Sequence, residues 1–389
     1  MGTALIDGLE EALATRREAG LFRLRRTVES APGARIVVDG RSVLAFASND
    51  YLGLANDPAI VAAAREGALR WGAGAGASHL LGGHLAPHAG AEAALAAFVS
   101  PCADAEGLLF STGYHANLAI VGALAGRGDT VFLDRLDHAC LYDGAFLSRA
   151  EVVRYPHGDV AALSGRLAAS TAARKLIATD AVFSMDGDVA PLPELLELAR
   201  RHDAWLVVDD AHGFGVLGEG RGSLAHFGLA DERVVYMGTL GKAAGVAGAF
   251  VAAHPAVIET LVQTGRSYIY TTAQPALLAC AILASLAAIR DGGERRARLA
   301  RNVVRFRDGA AALPWELLPS STPIQPLVLG ATEAAVRLSQ GLWDRGLYVP
   351  AIRPPTVPPG TARLRISFSA AHTDDDVDAL VAALREAAR

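Results

Sequence analysis

Short apolar runs alternate with amphipathic segments across the middle of the chain, and this alternation restricts the fold more than any other feature. Five runs rich in β-branched and aliphatic residues indicate buried strands, at 108–111, 130–133, 175–179, 205–208 and 234–237. Near-continuous apolar runs of this kind are typical of a parallel sheet that helices cover on both faces. The sequence therefore predicts an α/β fold with a large, mostly parallel sheet, in which ligands bind beyond the carboxyl ends of the strands.

The two ends of the chain differ from its middle. A helical pattern fills residues 1–17, and two short strand patterns then flank Asp39 and Gly40, a pair that favours a hairpin turn. Beyond about residue 290, helical patterns predominate, with one strand between proline-rich stretches, which indicates a smaller α/β unit. We therefore expect three regions: an N-terminal helix and hairpin segment at 1–45, a large domain at 46–290 and a small C-terminal α/β domain at 291–389.

Composition and charge exclude several classes of protein. The formal net charge of −5 is small and no long basic run is present, so we expect no nucleic-acid partner and no binding to an anionic membrane. The longest apolar stretch, at 276–289, is too short to cross a bilayer and indicates a buried core helix. The start lacks the layout of a signal peptide, and the three scattered cysteines form no CxxC pair, which favours the reducing cytoplasm.

Lysine is almost absent from the chain. Only two of its 36 basic residues are lysines, Lys175 and Lys242, and the others are arginines. Arginine replaces lysine on most solvated surfaces, but its guanidinium stays protonated and forms no imine with an aldehyde. Each lysine is therefore a candidate for amine chemistry, against the alternative that it was retained by chance.

Carboxylates and one of these lysines follow two neighbouring strand patterns. Asp209 and Asp210 come directly after the fourth pattern, where they would either pair with a cationic ligand group or cap the next turn. Lys242 ends the segment GTLGK after the fifth pattern. A Walker A phosphate loop requires a different glycine spacing and a following Ser or Thr, which Lys242 lacks. Lys175 instead begins its strand, at the opposite edge of the sheet, and is interpreted as a solvated structural residue.

Other strand ends offer a phosphate site and a histidine. The segment STGYHAN at 111–117 opens a helix directly after a strand, so its free N–H groups could bind phosphate or form an ordinary turn. His138 follows another strand and could lie over a bound ring or be an ordinary polar residue. The glycine-rich run at 72–76 does not follow a strand, which argues against a dinucleotide fingerprint. His84 and His88 lack the further residues of a metal site, so we expect no metal.

Five separated segments carry a resemblance to a known family: SNDYLG at 48–53, FSMDGD at 183–188, DDAHG at 209–213, GTLGK at 238–242 and IRPPTVP at 352–358. Together they resemble the α-oxoamine synthases, which are pyridoxal-phosphate (PLP) enzymes, and the resemblance covers about residues 5–385. It implies the type I, aspartate-aminotransferase-like fold, with a large PLP-binding sheet domain, a smaller C-terminal α/β domain and active sites shared across a homodimer. It also implies decarboxylative condensation of an amino acid with an acyl-CoA, for which we expect L-alanine and pimeloyl-CoA.

The resemblance implies a role for each residue of the site. Lys242 would carry PLP as a Schiff base and move the Cα proton, Asp209 would pair with the pyridine nitrogen, and His138 and His212 would contact the ring and its 3-hydroxyl. The expected catalytic residues are Lys242, His138, Asp209 and His212. The expected PLP contacts are Gly113, Tyr114, His138, Ser184, Asp209, His212, Thr239, Lys242 and, from the partner protomer, Thr272. The expected substrate contacts are Arg23 and Thr356 for the acyl chain, and Asn49 and Arg353 for the amino-acid carboxylate.

Several alternatives remain open on the residues alone. A sister synthase would use glycine or another acyl-CoA, and a catalytically silent binding subunit of the same fold would need neither the lysine nor the aspartate. An NAD-dependent oxidoreductase would require the glycine fingerprint that is missing. The arginines at 23–26 would, on the simplest interpretation, form a solvated helix face. The chain also departs from the family's usual residues at Asp180, where relatives often carry Glu, and at His79 and His115.

Overall fold

The computed structural model describes residues 3–389 as alternating strands and helices. The strands are, in chain order, β1 Arg35–Val38, β2 Arg41–Ala45, β3 Glu106–Phe110, β4 Thr130–Asp134, β5 Glu151–Tyr155, β6 Lys175–Asp180, β7 Ala204–Asp209, β8 Val234–Thr239, β9 Ala249–Ala253, β10 Glu316–Leu317, β11 Ile324–Gly330, β12 Leu347–Tyr348, β13 Ala351–Ile352 and β14 Ala362–Ser367. The α-helices are α1 Ala4–Glu18, α2 Pro58–Trp71, α3 Ala86–Val99, α4 Gly113–Leu124, α5 Ala139–Ser148, α6 Val160–Ala169, α7 Leu192–Arg201, α8 Ser223–His226, α9 Pro255–Thr264, α10 Arg266–Ile269, α11 Ala276–Arg290, α12 Gly293–Ala310, α13 Thr332–Asp344 and α14 Asp374–Ala387.

A seven-stranded sheet forms the centre of the molecule, with the strand order β3-β9-β8-β7-β6-β4-β5. Five neighbouring strands, β8, β7, β6, β4 and β5, run parallel to one another, and β9 runs antiparallel to both β8 and β3. All five strands expected from the sequence belong to this sheet, and the predicted mostly parallel α/β fold is confirmed. Helices pack on both faces, as the continuous apolar runs indicated.

Two strands of the sheet were missed in the sequence. β5 lies at the sheet edge and is only partly buried, so its residues EVVRY lack the continuous apolar pattern of the central strands. β9 has the sequence AFVAA, and alanine is depleted in strands. Its antiparallel direction also departs from the strand-helix-strand alternation, because β8 and β9 are joined by a loop rather than by a helix.

The N-terminal hairpin forms as expected. Asp39 and Gly40 both have positive φ, 49° and 74°, which is the conformation of the tight turn that matches strand twist. β12 adds to this hairpin by pairing parallel with β2, so the hairpin contacts the C-terminal part of the chain. The domain boundaries expected at residues 45 and 290 stay a prediction.

The C-terminal part contains a four-stranded antiparallel sheet, with the order β10-β11-β14-β13. α14 begins after Thr373, whose side chain caps the helix by accepting a hydrogen bond from the N–H of Asp376. α11 is largely buried, which agrees with a core helix. Within residues 3–389, no single helix is long and apolar enough to cross a membrane, and α11 and α12 meet both conditions only as a pair bent by 69°.

Candidate active site

A cavity of about 230 Å³ opens at the carboxyl ends of the central strands. Its lining residues come from the ends of β6, β7 and β8, the start of α4 and the segments around them: Gly113, Tyr114, His138, Cys140, Asp180, Ser184, Asp209, Ala211, His212, Met237, Thr239 and Lys242. Eight residues that the sequence nominated for cofactor binding therefore surround one cavity. Parallel strands end at the same edge of a sheet, so segments far apart in sequence meet there.

Lys242 ends a chain of hydrogen bonds that runs through the buried wall of the cavity. Its Nζ lies 3.0 Å from Nε2 of His212, and Nδ1 of His212 lies 2.6 Å from the hydroxyl of Tyr51. That hydroxyl donates to Oδ1 of Asn49 at 3.2 Å. Because the one proton of the Tyr51 hydroxyl goes to Asn49, its oxygen accepts from Nδ1–H of His212, and Nε2 of His212 is left to accept from the amine of Lys242. The network therefore fixes both the ring orientation and the tautomer of His212.

Electrostatics keep His212 neutral and disfavour a charge on Lys242. Burial lowers the pKa of His212 well below its usual value, and the positive charges of Lys242 and Arg365 lower it further. Burial also lowers the pKa of Lys242, against the opposing effect of the nearby carboxylates. A lysine amine with a depressed pKa is a better nucleophile and base at neutral pH than an exposed one.

Asp209 and Asp210 have separate roles in the structure, because successive side chains of a strand point to opposite faces. Asp209 lines the cavity, and its Oδ2 accepts a hydrogen bond of 2.6 Å from Nδ2 of Asn117. Asp210 is fully buried away from the cavity and accepts hydrogen bonds from the hydroxyl groups of Ser223, at 2.5 Å, and Tyr236, at 2.9 Å. Asp209 also caps the next turn, because its Oδ1 accepts a hydrogen bond of 3.0 Å from the N–H of Ala211. The turn-capping alternative therefore holds for Asp209, which at the same time lines the cavity and can contact a ligand.

The first turn of α4 faces the same cavity. Thr112 caps the helix by accepting a hydrogen bond from the N–H of His115, and Gly113 is the first helical residue. Tyr114 donates its hydroxyl to Asp143 and stays partly exposed, so it borders the opening of the cavity. Backbone N–H groups at a helix start, together with the helix dipole, favour an anionic group at this place.

A second cavity, of about 810 Å³, adjoins the first and shares His138 and Ser184 with it. The predicted substrate residue Thr356 lies in its wall, within the run of prolines at 354–359. This loop is tied to the N-terminal segment, because Nη2 of Arg353 donates to the carbonyl of Phe22 at 2.8 Å. The two cavities together offer room for a second, larger substrate beside the first.

Four predicted site residues lie outside the lining of both cavities: Arg23, Asn49, Thr272 and Arg353, the last next to the lining residue Pro354. Arg23 is exposed in a segment without helical structure, so the interpretation of residues 23–26 as a helix face is wrong. Thr272 forms a β-bridge with Ser78 and does not reach the cavity of its own chain. Asn49 contacts the site indirectly, through Tyr51.

The sequence did not nominate three residues that organise the site. Asn117 contacts Asp209, Tyr51 contacts His212, and Arg365 donates to the carbonyl of Ser184 at 2.5 Å and to Oδ1 of Asn49 at 3.2 Å. Tyr51 and Asn117 both lie inside segments that drew attention for other residues. Arg365 gives a weak signal of its own, as an arginine in the middle of an apolar strand pattern.

The donors and acceptors of the first cavity fit PLP. Lys242 offers an amine for the aldehyde, Asp209 a carboxylate for the ring nitrogen, and the start of α4 N–H groups for the phosphate. Two buried oxygens near the cavity, Oδ1 of Asn117 and Oδ1 of Asp180, have no hydrogen-bond partner among residues 3–389. Buried polar atoms rarely lack a hydrogen-bond partner, so these two oxygens are consistent with a site that binds a polar ligand.

Comparison with known proteins agrees with this geometry. The model of the family described as aminotransferase class I and II matches residues 41–384. The chain is 60% identical to the 8-amino-7-oxononanoate synthase of Dechloromonas aromatica (strain RCB) over 387 residues, which is 98% of this chain and 99% of that protein.

Solved structures are similar over most of the chain. A structure described as SPT with a PLP internal aldimine superposes with a TM-score of 0.92 at 32% identity, covering 99% of this chain and 97% of that one. The 8-amino-7-oxononanoate synthase of Francisella tularensis superposes with a TM-score of 0.76 at 31% identity, covering 89% of this chain and 98% of that one.

Proposed function

The chain belongs to the class I and II aminotransferase family and, within it, to the family of 8-amino-7-oxononanoate synthases, and from this premise we propose its reaction. It condenses L-alanine with pimeloyl-CoA, with release of CoA and CO₂, to give 8-amino-7-oxononanoate for biotin biosynthesis. The observation that carries the proposal is the meeting of Lys242, Asp209 and the start of α4 around one cavity beside a larger one.

PLP, when bound, supplies an aldehyde that links to amines and a protonated ring that withdraws electrons from the amino acid's Cα. In our proposal Lys242 holds it covalently, Asp209 holds the proton on its ring nitrogen, and His138 lies against its face. His212 and Ser184 bind the ring substituents, and Gly113, Tyr114 and Thr239 lie toward the phosphate. The shared cavity lining supports these assignments.

Lys242 is also the proposed base that removes the Cα proton of alanine. A free lysine has a pKa near 10.4, and efficient proton transfer at neutral pH requires a pKa of about 7 to 8, a difference of roughly 3 to 5 kcal/mol. Burial acts in the required direction, and a neutral His212 can accept a hydrogen bond from the amine without adding positive charge. The same network holds the amine in place while the proton moves.

We propose that Arg353 and Asn49 bind the carboxylate of alanine. Arg353 uses one N–H for the carbonyl of Phe22, which leaves the rest of its five donors for a ligand. Oδ1 of Asn49 already accepts from Tyr51 and Arg365, so its amide nitrogen remains as a donor. A carboxylate held at two points would fix which Cα bond faces the base.

An Arg353→Ala variant is expected to weaken alanine binding by about 1.5 to 3 kcal/mol, or roughly 10- to 150-fold, because a charged hydrogen bond is lost. Spectral titration of the PLP-loaded protein with L-alanine measures the dissociation constant. Arg345→Ala is the control, since Arg345 forms an exposed ion pair with Glu386, at 3.5 Å, and an exposed hydrogen bond to the carbonyl of Gly341, and does not line the cavities. An unchanged dissociation constant in Arg353→Ala would rule out the role.

The acyl chain is proposed to occupy the 810 Å³ cavity, with its far carboxylate near Thr356 and Arg23. Thr356 lies in the cavity wall, and Arg23 follows Phe22, whose carbonyl is bound by Arg353 of the same loop. Arg23 is therefore next in sequence to a residue that contacts the cavity loop, and its guanidinium is exposed. We propose that it contacts the part of the acyl chain that extends out of this cavity.

The acyl donor tests this proposal. Pimeloyl-CoA should exceed octanoyl-CoA, which lacks the far carboxylate, by at least about tenfold in kcat/KM, or roughly 1.4 kcal/mol. Arg23→Ala should narrow that ratio and leave alanine binding unchanged, whereas Arg25→Ala, at a nearby exposed arginine, should leave the ratio as it is. Equal use of both thioesters, or preference for acetyl-CoA, would assign the chain to a sister synthase.

We also propose a cytoplasmic homodimer, in which Thr272 of one protomer lies near the phosphate bound by the other. Support comes from the position of Thr272 outside its own cavity and from exposed apolar side chains beside it, among them Leu81 and Tyr270. The three free cysteines suit a reducing compartment. Light scattering that gives the mass of one chain would contradict the homodimer. Cell fractionation that places the protein outside the cytoplasm would contradict the proposed location.

A further inference from the structure

Three buried aspartates lie next to one another at the carboxyl edge of the sheet: Asp209, Asp180 and Asp137. Asp180 and Asp209 are direct neighbours in the register of β6 and β7. The backbone N–H of Asp180 donates to Oδ1 of Asp137 at 2.9 Å. Their exposed fractions are 5%, 4% and 7% for Asp209, Asp180 and Asp137, so water screens none of them well.

The three carboxyl groups differ in their hydrogen bonds. Both oxygens of Asp209 accept, one from Asn117 and one from the N–H of Ala211. By contrast, Oδ1 of Asp180 and Oδ2 of Asp137 have no partner within residues 3–389. A buried carboxylate requires donors at its oxygens, and an oxygen without a donor is where a proton is most easily held.

The groups around Asp180 and Asp137 carry too little positive charge to balance three ionised carboxylates. The titratable or charged groups that face it from the surrounding elements are Asp134 of β4, His138, Cys140 and Tyr142 around the start of α5, Tyr155 of β5, Asp209 of β7 and Lys242 after β8. Asp134 pairs with a cation of its own, because Nδ1 of His157 lies 3.1 Å from its Oδ1. Despite burial, hydrogen bonds to Asp134 and Asp188 raise the pKa of His157 to about 10. Among residues 3–389, Lys242 is thus the one cation that faces Asp180 and Asp209 together.

Burial and mutual repulsion both act against a second and third negative charge. Burial raises the pKa of Asp180 well above its usual value, and Asp209 raises it further. Burial and the neighbouring Asp180 likewise raise the pKa of Asp137. Adjacent buried carboxylates are known to share a proton for this reason.

We infer that Asp180 is a neutral carboxylic acid at physiological pH and that it supplies an uncharged hydrogen-bond donor to the cofactor cavity. Asp209 is then the charged carboxylate of that cavity. The inference rests on the proposed function, because its purpose lies in the reaction. A charged Asp180 would raise the pKa of Lys242 and make its amine less available as a base. A neutral Asp180 avoids this and leaves Asp209 as the one negative charge, at the place proposed for the ring nitrogen of PLP.

The protonation state can be measured on the PLP-loaded protein without substrate. The nitrogen that links Lys242 to PLP changes its visible absorbance when it loses its proton, and a nearby anion raises the pH at which this occurs. Asp180→Asn replaces one neutral group with another, so the titration midpoint should stay within about 0.3 pH unit of wild type. Asp209→Asn is the matched variant on the next strand and should lower the midpoint by about one to three units. A fall of that size in Asp180→Asn would overturn the inference.

A second measurement uses infrared spectroscopy. With ¹³C-labelled aspartate, a protonated carboxyl group gives a carbonyl band that an ionised one lacks. In the wild-type protein the band should persist two pH units above the pKa of about 7 to which burial raises Asp210. It should weaken in Asp180→Asn, where Asp137, whose pKa burial also raises, can still contribute to it. A band of equal intensity in Asp180→Asn would overturn the inference. Absence of the band at that pH would overturn the inference whatever the variants do. Both readouts are independent of product formation, so a protein that binds PLP but makes no 8-amino-7-oxononanoate would contradict the proposed reaction and leave this inference standing.

Discussion

Lys242→Ala is expected to remove the covalent attachment of PLP and to lower kcat by at least about a thousandfold. The amine of Lys242 is the proposed anchor of the cofactor and the base for the Cα proton, so one substitution removes both. The chain offers only one other lysine, Lys175, which begins β6 at the end of the sheet opposite the cavity. Absorbance spectra of the purified variant and steady-state kinetics measure the two losses.

Lys175→Ala is the matched control and should keep kcat within about twofold of wild type, since it removes a partly exposed amine far from the cavity. Borohydride reduction of the wild-type protein followed by peptide mapping identifies the attachment site directly. PLP should be recovered on the peptide that contains Lys242. Recovery on the Lys175 peptide would show that the assignment is wrong.

Asp209→Asn is expected to retain PLP but to slow exchange of the alanine Cα proton by at least about a hundredfold. An amide at this position is neutral and no longer stabilises the proton on the ring nitrogen, so the electron pair left at Cα is poorly accommodated. The other contacts of the cavity remain, which is why binding should survive. Exchange of the Cα proton in deuterated water, followed by NMR, isolates this step from the condensation.

Asp210→Asn separates chemistry from stability, because Asp210 is the next residue but points away from the cavity. It accepts hydrogen bonds from Ser223 and Tyr236, and the amide can replace only part of them. The variant should lose about 1 to 3 kcal/mol in its free energy of unfolding and keep its exchange rate within a few fold. An exchange rate near that of wild type in Asp209→Asn would remove Asp209 from the mechanism.

Sequence patterns predicted the centre of the sheet and left out its less regular parts. The central strands are buried on both faces, so their apolar runs are continuous and easily recognised. β5 is a half-exposed edge strand, and β9 is an alanine-rich strand whose position depends on pairing with β3 and β8. Strand pairing of that kind is a tertiary contact, which a local pattern does not encode.

The same distinction applies to the site. Lys242 and Asp209 were identifiable because Asp209 ends β7 and Lys242 lies shortly after β8, and the ends of these two strands must meet. Asn117 and Tyr51 act by hydrogen bonds to Asp209 and His212, and only the packed structure brings those atoms together. The neutral state inferred for Asp180 depends in the same way on its neighbours, Asp137 and Asp209, rather than on its own residue type.

The identity of the product tests the proposed condensation of L-alanine with pimeloyl-CoA most directly. Purified wild-type protein loaded with PLP is given L-alanine or glycine, each with pimeloyl-CoA, octanoyl-CoA or acetyl-CoA, and the products are identified by mass spectrometry. We predict 8-amino-7-oxononanoate from L-alanine and pimeloyl-CoA as the dominant product, with one CO₂ and one free CoA released for each molecule formed. A dominant product from glycine or from a thioester without the far carboxylate, or no condensation product from any pair, would contradict the account.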